Sequence, residues 1–331
     1  MKRPGIPDNE GSRTLALQQL GIMYTPSEAR FDRITRLAMR HFNVPTALVS
    51  IVYKELQWFK SNQGLNACTT GREVSFCGHA ILQDEPFIVT NALTDPRFAD
   101  NPLVTNEPRI RFYAGQAIRD PHNVVLGTLC LIDYAPREFS AANVQDLCDF
   151  AKLVEAELAM GPGSSVVQAL IEGLTEDQRI ALIDPQIGSW NLRGIEAVLN
   201  QEFKAAGEDD HPISLIAIRL SDFDSLCARF GADRLLDFRK HVAAMVRDEI
   251  PASASLAVLS PSLLLAVCPR VPETDVRKLI AKISAKCRSL PAESLGVKTL
   301  IECRLAGLTV TGVSDLAKKP TFWIESLQKE I

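Results

Sequence analysis

The tetrapeptide Phe76-Cys77-Gly78-His79 holds the pair of side chains best suited to covalent chemistry in this chain. A thiol beside a histidine and a helix N-terminus can lose its proton near neutrality, and the thiolate is a nucleophile. Spacing argues the other way. Residues i and i+2 share a face on a strand but diverge on a helix, and the continuation Gly78-His79-Ala80-Ile81-Leu82 predicts a turn into helix at Cys77. His79 is then expected as a capping or core histidine and not as a base for Cys77. Cys68, shortly before Cys77, invites a thiol-disulfide reading, whereas Cys130 falls in the apolar run Gly127 to Asp133 and is expected to be buried.

Other chemistries lack their motifs. No H-x-H or H-x-x-x-H spacing suggests a metal, and neither a G-x-x-x-x-G-K-[ST] nor a G-x-G-x-x-G phosphate loop is present. The eight cysteines, at 68, 77, 130, 148, 227, 268, 287 and 303, show no C-x-x-C pair and read as buried reduced thiols. Neither structural zinc nor another cofactor is expected. A net charge of -4 and the lack of a basic segment interleaved with aromatics give no footprint for nucleic acid. No apolar run approaches the roughly 20 residues that span a bilayer. The start, Met1 to Asp8, lacks the apolar core of a signal peptide. The chain is therefore expected to be cytoplasmic, without membrane or nucleic-acid partners.

A length of 331 residues, 46% hydrophobic and 23% charged, is enough for about two soluble domains. The helix-ending string Met160-Gly161-Pro162-Gly163-Ser164-Ser165 lies between the helical patterns Ala141 to Ala159 and Val166 to Ile183, and reads as a hinge. The expected division is an N-terminal segment 1–26, a first domain 27–160, a linker helix 161–183 and a second domain 184–331. In the first domain an amphipathic helix, Ala29 to Phe42, leads into two strands, Ala47 to Val52 and Leu56 to Ser61.

After these come Ser75 to Ile81, Asp95 to Pro102, Ile110 to Gly115 and Gly127 to Asp133, and with them the first domain closely resembles a GAF sensor domain, a type commonly fused in bacteria ahead of GGDEF domains or histidine kinases. The resemblance implies an antiparallel sheet with helices on one face and a ligand cavity on the other, closed by about Ala67 to Asn106. Trp58, Phe76, Cys77, Tyr113 and Cys130 would line it, with His79 and Arg111 supplying polar contacts, which suits a small ligand that needs apolar enclosure. Each has a plainer alternative: Trp58 and Tyr113 as core, Arg111 as a partner of Asp133 or Glu107. A thiol-based GAF reductase would need a second cysteine between Cys77 and Cys130, and none is there.

The stretch Asp184-Pro185-Gln186-Ile187-Gly188-Ser189-Trp190-Asn191-Leu192-Arg193-Gly194 resembles the opening motif of GGDEF diguanylate cyclase domains, matching at Asp184, Pro185, Gly188, Asn191, Arg193 and Gly194. Where that family places a metal-binding Asp, the chain has Arg219, followed by Leu220, Ser221 and Asp222. The family's base-seating pair falls near Cys227 and Ala228. Two apolar segments, Leu256 to Leu259 and Leu263 to Val267, read as the catalytic hairpin, yet its signature aligns with Ser260, Pro261, Ser262, Leu263 and Leu264. Arginine offers only donors, and magnesium bridging phosphates needs oxygen ligands. Proline removes a backbone donor as well. The allosteric R-x-x-D of the family is missing at Pro251 to Ala254, and the tail offers only a short amphipathic segment with Phe322, Trp323, Ile324 and Leu327.

The expectation is an α+β protein, a GAF domain followed by a degenerate GGDEF-like, nucleotide-cyclase-like α/β domain. It would signal in a cyclic di-GMP pathway without catalysing, through an unknown small ligand at the GAF domain and a protein partner. A divergent diguanylate cyclase and a thiol-based GAF reductase are the alternatives. The resemblance further implies a homodimer using Leu147, Phe150, Leu153 and Val154, residues that can equally pack on their own sheet.

Overall fold

The computed structural model describes residues 1–65, 67–161, 165–289 and 302–331. The chain divides into two compact units, Met1–Pro162 and Gly163–Ile331. Half of the expected hinge, Pro162 to Ser164, lies outside the described residues.

The first unit opens with α1 (Glu10–Leu20) and α2 (Ala29–His41), followed by β1 (Thr46–Tyr53), β2 (Leu56–Gln63) and β3 (Thr69–Gly71). Then come α3 (Phe76–Ala80), β4 (Phe87–Val89), α4 (Pro102–Thr105), β5 (Phe112–Arg119), β6 (Val125–Asp133) and α5 (Ala141–Ala159). The strands form one antiparallel sheet in the order β3-β2-β1-β6-β5-β4. The central strands β1 and β6 are buried along their whole length, because both faces of the sheet are covered. Period-two alternation sorts the side chains. Val49, Ile51, Trp58, Phe112, Leu129 and Leu131 pack with α2 and α5, whereas Leu48, Val52, Phe59, Tyr113, Cys130 and Ile132 pack with α3 and the crossing segment. Gly127 sits where a Cβ would collide with the Ser50 carbonyl oxygen, so β1 and β6 approach only because that side chain is missing.

Residues 1–26, set apart in the sequence reading, belong to this unit. Leu17, Ile22, Met23 and Tyr24 enter the core under the helices. Arg13, 1% exposed, donates to the carbonyl oxygens of Val52 at 2.9 Å and Leu126 at 3.2 Å. Its charge is met by Glu10, which also holds Arg72. Composition hid this helix, because its anchor is an arginine and its apolar residues are few. Of the residues suggested for a dimer face, Leu147 and Val154 are fully buried on the sheet and Phe150 packs against the same core, while Leu153 is exposed.

The second unit runs α6 (Ser165–Glu172), α7 (Glu176–Ile180), α8 (Leu192–Asp209), β7 (Ile213–Leu220), α9 (Phe223–Phe230), α10 (Ala232–Glu249), β8 (Ser255–Ser260) and β9 (Leu263–Pro269). It continues with α11 (Glu273–Ser289), β10 (Cys303–Val310), α12 (Val313–Leu316) and α13 (Pro320–Glu330). The expected single linker helix over 161–183 is broken. Thr175 starts a new helix with a capping box, its hydroxyl accepting from the Gln178 amide while the Gln178 side chain accepts from the Thr175 amide. The sheet is antiparallel in the order β10-β7-β9-β8. One face packs on α10 and α11, the other on α8 and α13. Ile324 and Leu327 of the tail are buried in that second core.

Candidate functional site

The face of the first sheet opposite α2 and α5 carries a cavity of about 300 Å³. Leu48, Phe59, Phe76, Tyr113 and Ile132 give it apolar walls, and Gln57, Thr70 and Glu107 supply polar edges. Gln57 and Thr70 face each other across β2 and β3. Among the described residues, the Gln57 Oε1 and Thr70 Oγ1 atoms are buried without a hydrogen-bond partner. Buried acceptors left open cost stability unless something donates to them. The wall therefore suits a compact, mostly apolar molecule that carries an N–H or O–H donor.

Cys77 forms the floor. The Ser75 hydroxyl accepts from the Gly78 amide at 2.7 Å and caps α3, which starts the helix at Phe76 and aims Cys77 at the sheet. There its Sγ lies 3.6 Å from Cys130 Sγ, and the Tyr113 hydroxyl donates to it at 3.2 Å. Burial alone would raise the Cys77 pKa, but the hydrogen bonds from Cys130 and Tyr113, with the buried Thr128 and Ser50 hydroxyls close by, favour the thiolate and draw it down to about 7. The proton is left on the partners: Cys130 is pushed well above the usual thiol range by its bond to Cys77 and by burial. Tyr113 rises too, through burial and the two thiols. Among the described residues no cysteine is in a disulfide.

Of the residues expected at this pocket, Phe76, Cys77 and Tyr113 line it, and Cys130 sits directly beneath. Three do not belong. Trp58 points to the opposite face, its ring 6.2 Å from that of Tyr24, because β2 turns odd and even residues to opposite sides and Phe59 takes the pocket side. His79 stacks on Phe87, meets Phe98 edge-on, and its Nε2 is 3.0 Å from the Lys2 carbonyl oxygen. Desolvation lowers its pKa, so it serves as a neutral core ring. Arg111 donates to the carbonyls of Val104, Arg109 and Ile110 and so shapes the loop before β5. The acids suggested as its partners are engaged elsewhere, Asp133 with Arg137 and Glu107 with Arg109. Gln57 and Thr70 were missed. Their signal was present in the alternation of β2, where Gln57 and Phe59 share the face that Trp58 does not.

In the second unit, Arg219 lies opposite Leu263 on one side and Arg304 on the other. The turn of the β8–β9 hairpin places Ser260 Oγ 3.3 Å from Ser262 Oγ, and the Ser262 carbonyl accepts from the Leu220 amide at 2.8 Å. Pro261 is exposed at the tip, while Leu263 and Leu264 are buried in the two cores. Asp222 precedes α9 in a left-handed conformation and is exposed, as are Asp224 and Asp233. Side chains at the positions where the resemblance places metal and phosphate chemistry thus offer a guanidinium, hydroxyls and leucines. Among the described residues, no three His, Cys, Asp or Glu side chains are grouped to hold a metal ion.

The matching part of the opening motif is structural. Asp184 Oδ1 accepts from the Gln186 and Ile187 amides, and its carbonyl accepts from Gly188, whose φ of 69° favours glycine. Asn191 caps α8 by accepting from the Gly194 amide at 3.0 Å. Trp190, 2% exposed, bonds through its backbone to Leu256 and Val258 and so ties the loop to β8.

A model of the GAF domain family matches residues 26–158. This part of the chain is a GAF domain. Over 98% of its length the chain is 29% identical to a cyclic di-GMP phosphodiesterase of Pseudomonas aeruginosa, of which the match covers 55%. The chain therefore spans about half the length of that curated relative. Similar solved structures include the FimX GGDEF domain of P. aeruginosa, with a TM-score of 0.39 and 16% identity over 45% of this chain and 95% of that one. Another is the GGDEF domain of DgcB from Caulobacter crescentus, solved with c-di-GMP, with a TM-score of 0.40 and 14% identity over 45% of this chain and 84% of that one. No helix among the described residues is long and apolar enough to cross a membrane.

Proposed function

We propose that this chain is a cytoplasmic signalling protein of a cyclic di-GMP pathway whose GAF cavity takes a small, mostly apolar ligand and whose GGDEF-like unit acts through a protein partner without making cyclic di-GMP. The observation that carries the reading is the donor set around Arg219, Ser260, Ser262 and Leu263. Condensing two GTP molecules needs oxygen ligands for divalent ions that bridge the phosphates. A guanidinium between Leu263 and Arg304 can meet an anion and cannot replace a carboxylate in that task. The surface of this unit is then what remains available for signalling, and a ligand in the GAF cavity acts by favouring one arrangement of the protein over another.

The test is turnover of GTP with magnesium, together with calorimetric titration of cyclic di-GMP and an assay for its hydrolysis, all on the full chain. The expected result is neither product formation nor hydrolysis. Magnesium-dependent cyclic di-GMP formation, or its hydrolysis, would overturn the non-catalytic reading.

A further inference from the structure

The floor of the GAF cavity holds two thiols placed for a reaction with each other. Cys77 and Cys130 have sulfurs 3.6 Å apart on α3 and β6, both residues are buried, and the Tyr113 hydroxyl is bonded to Cys77. A disulfide needs an S–S distance of about 2.05 Å, so closure asks for a movement of roughly 1.5 Å, shared by a short helix and a strand. Cys77 alone of the two also lines the cavity. One sulfur is thus reached from the cavity and the other waits behind it.

We propose that Cys77 and Cys130 are a redox couple that organic hydroperoxides entering the cavity oxidise to a disulfide. This rests on the cavity being open to small apolar molecules. The Cys77 thiolate attacks the outer peroxide oxygen; an S–O bond forms, the O–O bond breaks, and the alkoxide leaves as an alcohol with the proton that Cys77 gave up. Cys130 then attacks the Cys77 sulfenic acid; the S–S bond forms, the S–O bond breaks, and hydroxide leaves as water with the Cys130 proton. Two thiols lose two electrons, and one hydroperoxide is reduced to an alcohol and water. The apolar walls accept the organic body, and the open acceptors of Gln57 and Thr70 suit the hydroperoxide O–H. The Tyr113 hydroxyl holds Cys77 in its reactive form and is a positioning residue.

The experiment treats the native full chain with cumene hydroperoxide, alkylates the remaining thiols after denaturation, and maps linked peptides by mass spectrometry. The expected result is a Cys77–Cys130 linkage that dithiothreitol reverses and that forms at least about tenfold faster than any linkage of Cys287 with Cys303, a second neighbouring thiol pair. In Cys130→Ala, dimedone is expected to trap Cys77 as a sulfenic acid. In Tyr113→Phe, the pH profile of Cys77 oxidation is expected to move upward, a readout that lost packing alone does not move. Cys77 and Cys130 both remaining alkylatable, while cumyl alcohol binds in calorimetry, would overturn the redox couple and leave the cavity reading intact. Linkage equally fast with hydrogen peroxide, and no binding of cumyl alcohol, would overturn the assignment of organic hydroperoxides and the cavity reading together.

Discussion

Replacing Glu202 by glutamine is expected to stabilise the second unit above neutral pH and to leave it unchanged in acid. Glu202 lies on α8, 3% exposed, and burial raises its pKa from 4.5 to about 7, with Arg270 opposing the shift. Arg270 is itself paired with Asp209 at 2.7 Å, which limits how much of its charge reaches Glu202. Between pH 4.5 and 7 the folded state holds a proton that the unfolded state has released, so this group makes stability fall as pH rises through that window. Below it both states are protonated and the contribution vanishes. A shift of that size corresponds to an upper bound of about 3 kcal/mol at pH 8, and relaxation around the charge reduces it to roughly 2 kcal/mol. His211, whose pKa is lowered by burial, acts with the opposite sign, since its unfolded state binds the extra proton. The difference between parent and Glu202→Gln removes that background. Trp190 and Trp323 report on this unit once Trp58 is replaced by phenylalanine, so urea unfolding followed by fluorescence at pH 5, 6.5 and 8 measures the effect. A difference that stays constant across the three pH values would refute the reasoning.

Two further substitutions probe the frame that holds the cavity. Arg13→Ala leaves the Val52 and Leu126 carbonyls without their buried donor and frees Glu10 from one partner, and should cost the GAF unit roughly 2–4 kcal/mol in chemical unfolding. Gly127→Ala drives a methyl group into the Ser50 carbonyl oxygen and should cost roughly 3 kcal/mol or more, read as loss of soluble folded protein or a lowered melting temperature. A melting temperature equal to that of the parent in either case would contradict the packing described.

Much of this fold was legible because the sheets alternate cleanly. The strands around Ala47 to Val52, Leu56 to Ser61 and Leu256 to Val267 follow from period-two burial and short turns, and the helical turn at Cys77 followed from the residues after it. Pocket membership was harder. Trp58 was attractive for its chemistry, but a side chain's face is set by register against its neighbours, and Ile51 opposite it places it under the helices. Cys130 was expected as a buried strand residue at the cavity; that its sulfur meets Cys77 depends on a contact between residues 53 apart in sequence, which no local pattern encodes. The capping box at Thr175 was written in the sequence as Thr-x-x-Gln and was overridden by the apolar periodicity around it.

The second unit shows why a partial motif match is weak support for catalysis. Asp184, Gly188 and Asn191 match the opening motif of cyclase domains, and each has a local task that any such fold needs: an Asp-centred turn, a left-handed glycine and a helix cap. Those tasks are independent of nucleotide. The positions that depart from the pattern, Arg219 and Ser260 to Leu264, are the ones whose side chains would have to meet metal and phosphate. Here they fill a hairpin and two cores instead. Restoring an aspartate at 219 alone would therefore leave the hairpin without its carboxylates, and the expected outcome of Arg219→Asp is a folded unit that still forms no cyclic di-GMP from GTP and magnesium. Turnover on that single change would mean that the hairpin side chains are dispensable, and the argument from the donor set would fail with it.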